Sequence, residues 1–188
     1  MFIKNNNLNS LNRIRGGGNR KNNTKGIFLD RNERIIPFSS EIKKKIERLI
    51  TNINLSKYPN IDILYKKLSK WLKISIDNIF ITDGLDGAIR LVFHCYTEKS
   101  KSNVIFPDPS FAMYKVYSKM FGVRTKLIGY ENNYNLKFNN IFKVADKNTA
   151  VIFLPNPNMP IEGFLDISKI KKIAEFCEKK NIILFIDE

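Results

Sequence analysis

Val151–Gly163 reads VIFLPNPNMPIEG, and the fold turns on it. Val151 to Leu154 form an apolar, β-rich run too short for a buried helix, which predicts a buried strand. The run breaks into Pro155, Pro157 and Pro160 with Asn156 and Asn158 between them. Proline has no N–H to give a ladder and restricts the residue before it, so an extended loop is held at the strand's carboxyl end. Ligands of open α/β sheets bind at that end. The amides of this loop are therefore presented on a stiff scaffold at an expected site mouth.

Strand and helix patterns alternate outward from this point. Upstream, Asn78–Thr82 predicts a short strand, and Asp83-Gly84-Leu85-Asp86-Gly87 turns into a helix running to about Tyr96. A strand at Asn103–Phe106 ends in Pro107-Asp108-Pro109, a helix follows over Ser110–Phe121, and Val123–Ile128 is again a strand. Glu131 to Asn140 is polar and turn-rich, and Ile141–Ala145 is a short apolar piece. Downstream, Asp166 or Ser168 starts a helix with Ile167, Ile170, Ile173, Ala174 and Cys177 on its inner face. Ile182–Ile186 is a buried strand carrying Asp187 and Glu188 at its tip. Such alternation is the pattern of an α/β fold.

Before this region, Ser39 or Ser40 caps a helix whose apolar residues Ile42, Ile46, Leu49, Ile50 and Ile53 share one face. Lys57-Tyr58-Pro59 follows on a loop. A second amphipathic helix uses Ile61, Leu64, Leu68 and Trp71, with Trp71 expected in the core. Residues 1–26 are Asn-rich, basic and broken by Gly16-Gly17-Gly18, with no hydrophobic period to offset ordering entropy. They read as a disordered basic arm, followed by an amino-terminal segment and helix over 27–60 and the main domain over 61–188.

Composition bounds the function. The 188 residues are 43% hydrophobic and 12% aromatic, an ordinary globular balance with room for one sizeable core. No apolar run approaches the ~20 residues of a spanning helix, and MFIKNNNLNS has no signal-like apolar stretch, so a cytoplasmic protein with no membrane partner is expected. The net charge of +14 raises nucleic acid as a partner. Yet the lysines are scattered between apolar helix positions among many Asn and Ile, which fits compositional drift and a solvated surface; nucleic acid is not expected. Cys95 and Cys177 lie in helical, apolar surroundings and read as buried small hydrophobes rather than a disulfide. A lone histidine, His94, excludes a multi-His metal site, and no metal is expected; His94 reads as a packed helix residue.

The motifs also carry a resemblance. Pro155–Pro160 resembles the Asn-Pro loop of pyridoxal-phosphate aminotransferases of class I/II, histidinol-phosphate type. Leu29–Glu33 (LDRNE), Lys57-Tyr58-Pro59, Thr82–Gly87 (TDGLDG), Pro107–Tyr114 (PDPSFAMY) and Ile186-Asp187-Glu188 match its other motifs in order. The resemblance implies a fold-type I large domain, incomplete over 61–188, whose remaining strands, small domain and Schiff-base lysine are not in this chain. It implies transfer of an amino group between an amino acid and a keto acid or aldehyde, with an amino acid or amino-phosphate substrate, pyridoxal 5'-phosphate and a homodimer. A related decarboxylase of phosphorylated amino acids, or a non-catalytic basic remnant that binds nucleic acid through residues 1–26, are the alternatives.

Site residues follow from the resemblance, position by position. Backbone amides around Gly84, Leu85 and Asp86 would hold the cofactor phosphate, as a glycine turn into a helix start favours an anion. Phe111 would stack on the pyridine ring. Asp187 would pair with the ring nitrogen, keeping it cationic. Tyr58 would reach the phosphate across a dimer interface. The position of the amide that meets the ring hydroxyl is Met159, which cannot do so, leaving Asn158 or Asn156 as substitutes. No lysine stands in the Schiff-base context, so no catalytic residue is assigned; the truncated chain is expected to be inactive. The strand at Ile79–Thr82 is expected to lose its neighbours, while those ending at Phe106, Leu127, Leu154 and Ile186 pair with one another.

Overall fold

The computed structural model describes residues 34–50, 55–161 and 163–188. The expected arm at 1–26, the LDRNE motif and Ile53 lie outside the described residues. Two compact units divide the chain between Phe80 and Ile81.

In the first unit, α1 (Ser40–Leu49) is capped by Ser39, whose hydroxyl accepts from the Ile42 N–H. After it, α2 (Asp62–Leu72) ends on Lys73 in the left-handed conformation. The periodicity predicted both helices, but the burial differs from expectation. Trp71 is 76% exposed rather than core, and Ile42, Ile46, Leu49, Ile50, Ile61 and Leu64 are exposed. An apolar stripe shows which face of a helix prefers to leave water; it does not supply the surface that covers it.

In the second unit, the strands β1 (Asn103–Pro107), β2 (Arg124–Ile128), β3 (Thr149–Pro155) and β4 (Ile183–Asp187) form one sheet in the order β2-β1-β3-β4. Every pairing is parallel. Side chains alternate across the central strands, as period two demands. Val104, Phe106, Val151 and Phe153 point to one core with Ile89 and Phe93 of α3 (Gly84–Tyr96) and Tyr114 and Tyr117 of α4 (Ala112–Phe121). Ile105, Ile152 and Leu154 point to the other, with Ile141 of α5 (Asn139–Val144) and Ile173 and Cys177 of α6 (Ile167–Lys180). The result is a three-layer α/β/α sandwich.

Several local expectations change. Ile79–Thr82 forms no strand; Ile76–Asn78 is a 3-10 turn and the four-stranded sheet runs without the next segment. The apolar piece Ile141–Ala145 is helical as far as Val144, with Ile141 buried in the core beside Ile128 and Ile152. In α6 only Ile173 and Cys177 are buried, while Ile167 and Ala174 face water. Cys95 and His94 lie on an exposed face of α3, with His94 edge-on to Phe121.

The amino end of the sheet is tied by a polar cluster. Asn103, almost fully buried, donates through its amide to Asp146 Oδ1 at 2.9 Å, and its carbonyl accepts from the Thr149 hydroxyl at 2.8 Å. Lys126 Nζ meets Asp146 Oδ2 at 2.7 Å. The Lys126 ammonium, then the Asn103 amide and the Asn148 N–H, hold the Asp146 carboxyl well below the usual carboxylate range. A depressed folded value means the stabilisation is present above the unfolded carboxylate value, near pH ~4, and is lost as pH falls through the folded one. Asp146→Asn should therefore cost no more than about 1 kcal/mol at neutral pH, since the pair is partly exposed. Its urea midpoint should fall less steeply below pH ~4 than that of the wild type; parallel curves would exclude this role.

Candidate functional site

The strand order contains a reversal. The chain leaves β1 for β2 on one side, whereas β3 leads to β4 on the other. The carboxyl ends of β1 and β3 therefore flank a topological switch point, the place where open α/β sheets form a ligand crevice. Pro107 and Pro155 end these strands. Among the residues lining the cleft between them are Tyr130, Asn156, Asn158 and Leu165.

Asn158 joins the two loops across the switch point. It is 3% exposed. Its Oδ1 accepts from the Ser110 hydroxyl at 2.7 Å, and its Nδ2 donates to the Pro109 carbonyl at 2.9 Å and to the Tyr130 hydroxyl. Its backbone N–H closes the turn on the Gly163 carbonyl at 3.0 Å. Both amide hydrogens are thus used on protein acceptors. The Tyr130 hydroxyl is pushed up by burial and remains a phenol. Asn156 braces the same loop: its Oδ1 accepts from Leu165 N–H at 2.7 Å and its backbone N–H reaches the Asp187 carbonyl at 2.8 Å. Met159 is exposed.

Asp187 stands at the tip of β4, in register with Pro155. Its Oδ2 accepts from the buried Tyr114 hydroxyl at 2.6 Å. Burial first, then that contact, raises Tyr114 far above the ordinary phenol value, so it remains a donor. Phe111 is half-buried as the residue preceding α4, and its ring meets Tyr114 edge-on, 5.9 Å between centroids at 88°. Phe111 and Asp187, far apart in sequence, are therefore brought together through one tyrosine. The motif Pro107–Tyr114 marked Phe111 alone as a site residue; Tyr114, three positions on and across the start of α4, is added by the fold.

The turn at Gly84 lies at the same edge. α3 runs into the loop that enters β1 at its amino end, so its own start lies toward the carboxyl ends. Gly84 has φ +81°, and a Cβ added there would meet nothing within 4 Å. Asp83 precedes the helix without capping it through its side chain. A Cβ on Gly87 would stand 1.9 Å from Asp83 Oδ1, so glycine allows the carboxylate to fold over the first turn. Leu85 and Asp86 are exposed on that turn. Arg90 offsets the Asp83 charge at 3.5 Å. Tyr58 lies in the first unit and is fully exposed.

The donor set suits a flat, phosphorylated heteroaromatic cation. Helix-start N–H groups suit a phosphate, an aromatic face suits the ring, and a strand-end carboxylate suits a protonated ring nitrogen. Among the described residues no group of His, Cys, Asp and Glu could hold a metal ion, and no helix is long and apolar enough to cross a membrane.

Removing the Asn158 amide would strand the Pro109 carbonyl and the Ser110 and Tyr130 hydroxyls. Asn158→Ala should cost about 2–3 kcal/mol in urea unfolding. Asn158→Asp should cost at least as much, because a carboxylate facing the Pro109 carbonyl cannot donate. Wild-type stability in both variants would show the network to be dispensable.

Comparison with known proteins agrees with this fold. The chain is 30% identical over 171 residues to histidinol-phosphate aminotransferase 1 of Oceanobacillus iheyensis, covering 91% of this chain and 46% of that protein. It thus spans about half the length of such relatives. Its fold superposes on tyrosine aminotransferase from Leishmania infantum with a TM-score of 0.69 at 19% identity, covering 78% of this chain and 44% of that one. Cystalysin from Treponema denticola, whose structure contains a pyridoxal 5'-phosphate cofactor, matches with a TM-score of 0.65 at 20% identity, over 78% and 39% of the two chains. Residues 25–188 match the family model for aminotransferase class I and II, and the chain belongs to that family.

Proposed function

We propose that this chain supplies the cofactor-holding part of a pyridoxal-phosphate aminotransferase that moves an amino group between an amino acid and a keto acid or aldehyde. The observation that carries the reading is the convergence of Phe111 and Asp187 on Tyr114 beside the switch point. Membership of the aminotransferase family and similarity to histidinol-phosphate aminotransferases support it. The homodimer, the cytoplasmic setting and an amino-phosphate substrate come with that similarity and belong to the same proposal.

When bound, pyridoxal phosphate supplies an electron sink through its protonated ring. The chain's residues have separate tasks. The N–H groups of the turn at Gly84, Leu85 and Asp86 anchor the phosphate, and Phe111 offers a face to the ring. Asp187 holds the proton on the ring nitrogen. Asn158 acts at one remove: its amide is spent on the Pro109 carbonyl and Ser110, so it fixes the loop that carries Phe111. The lysine that binds the cofactor covalently is assigned to none of these residues.

Titrating the chain with pyridoxal phosphate should induce circular dichroism in the cofactor's visible band, since a site-bound chromophore sits in a chiral field. Asp187→Ala should abolish the signal, and borohydride reduction should mark no single lysine stoichiometrically. No induced signal would overturn the holding role. One stoichiometric lysine would place covalent attachment within these residues.

A further inference from the structure

We propose that Tyr114 is a positioning residue for the cofactor ring: its hydroxyl engages one oxygen of Asp187, leaving the other to meet the ring nitrogen, while its ring edge sets Phe111. The proposal rests on the pyridoxal-phosphate reading above.

Three observations carry it. First, Tyr114 is completely buried. Its ring packs on Phe106 of β1 at 5.6 Å and Phe153 of β3 at 5.1 Å between centroids, so the two central strands locate it. Secondly, the Tyr114–Asp187 contact of 2.6 Å goes to Oδ2 alone. A carboxylate with one oxygen tied loses rotation about its last bond, and its remaining oxygen is presented in a fixed direction. Thirdly, the same side chain touches Phe111 edge-on. One residue thus couples the support beneath the ring to the partner of its nitrogen.

The hydroxyl is not needed for packing. A phenylalanine would fill the same space among Phe106, Phe111 and Phe153, and would avoid burying a polar group that must find a partner. Among the described residues the Tyr114 hydroxyl donates only to Asp187. Its raised phenol value keeps it in the donor form. A packing residue has no use for that proton, whereas a carboxylate that must face one way does.

The test uses the chain, Tyr114→Phe and Asp187→Asn with pyridoxal phosphate labelled with nitrogen-15 in the ring, at fixed neutral pH. Wild type should bind with the ring nitrogen in its protonated chemical-shift range. Tyr114→Phe should bind about tenfold more weakly, and its nitrogen signal should move toward the unprotonated position. Asp187→Asn should lose the protonated signature. Wild-type affinity and shift in Tyr114→Phe, with Asp187→Asn altered, would leave Tyr114 a packing residue and the site intact. An unaltered Asp187→Asn, or no binding by wild type, would overturn the site reading and the proposal with it. Should Tyr114→Phe fold poorly, the ligand-free wild type gives a second measurement. A slowly exchanging tyrosine hydroxyl proton should be visible by NMR and vanish in Asp187→Ala, which removes the acceptor; its absence from wild type would overturn the proposal.

Discussion

The parallel pairing of β1 with β3 is the constraint on which everything else rests. Both strands are buried from end to end apart from the half-buried Ala150, so each must present apolar side chains on two faces, and each does. Two cores follow from that single pairing, one under α3 and α4 and one under α5 and α6. Its carboxyl end is also the switch point, because the chain departs from β1 and β3 in opposite directions. A slip of one residue would exchange the two faces and misplace every strand-end group.

Prolines make that edge stiff, and buried amides make it specific. Strands that end in Pro107 and Pro155 cannot continue their ladders, so polar groups beyond them must be satisfied locally. Asn158 and Asn156 do this with side-chain amides that reach neighbouring loops and the backbone at the base of α6. A buried amide with its donors and acceptor engaged tolerates few other arrangements. The loop bearing Phe111 inherits its position from this network. Asp187 gains its own from Tyr114, which in turn is held by rings on the central strands. The site is thus an extension of core packing rather than a set of mobile surface groups.

The unit before Ile81 shows the opposite balance. Its helices are well formed, α1 capped by Ser39 and α2 closed by left-handed Lys73, yet most of their apolar residues are exposed. Burial contributes roughly 25 cal/mol per Å², so these faces are surfaces whose stabilisation is unspent within the unit. Helix formation and helix burial are separate events, and only the first is local.

What the chain's letters determined by themselves is what short-range chemistry governs. The run Val151–Leu154, the prolines after it, the Ser39 cap and the glycine turn at Gly84 announced strands, breaks and helix starts without reference to distant residues. The ordered motifs from Thr82 to Asp187 pointed to the family for the same reason, since each is a local device. Tertiary structure decided the rest. Whether Trp71, Cys95 and Ile167 met a neighbour, whether Ile79–Thr82 found a ladder, and whether Ile141–Val144 coiled over the sheet all depended on surfaces far away in sequence. Tyr114 and Asn158 gained their hydrogen-bond partners only when folding brought Asp187 and Pro109 to them. Hydrogen bonds between residues 73 and 49 positions apart have no signature in any window of sequence, because the partner is chosen by the fold.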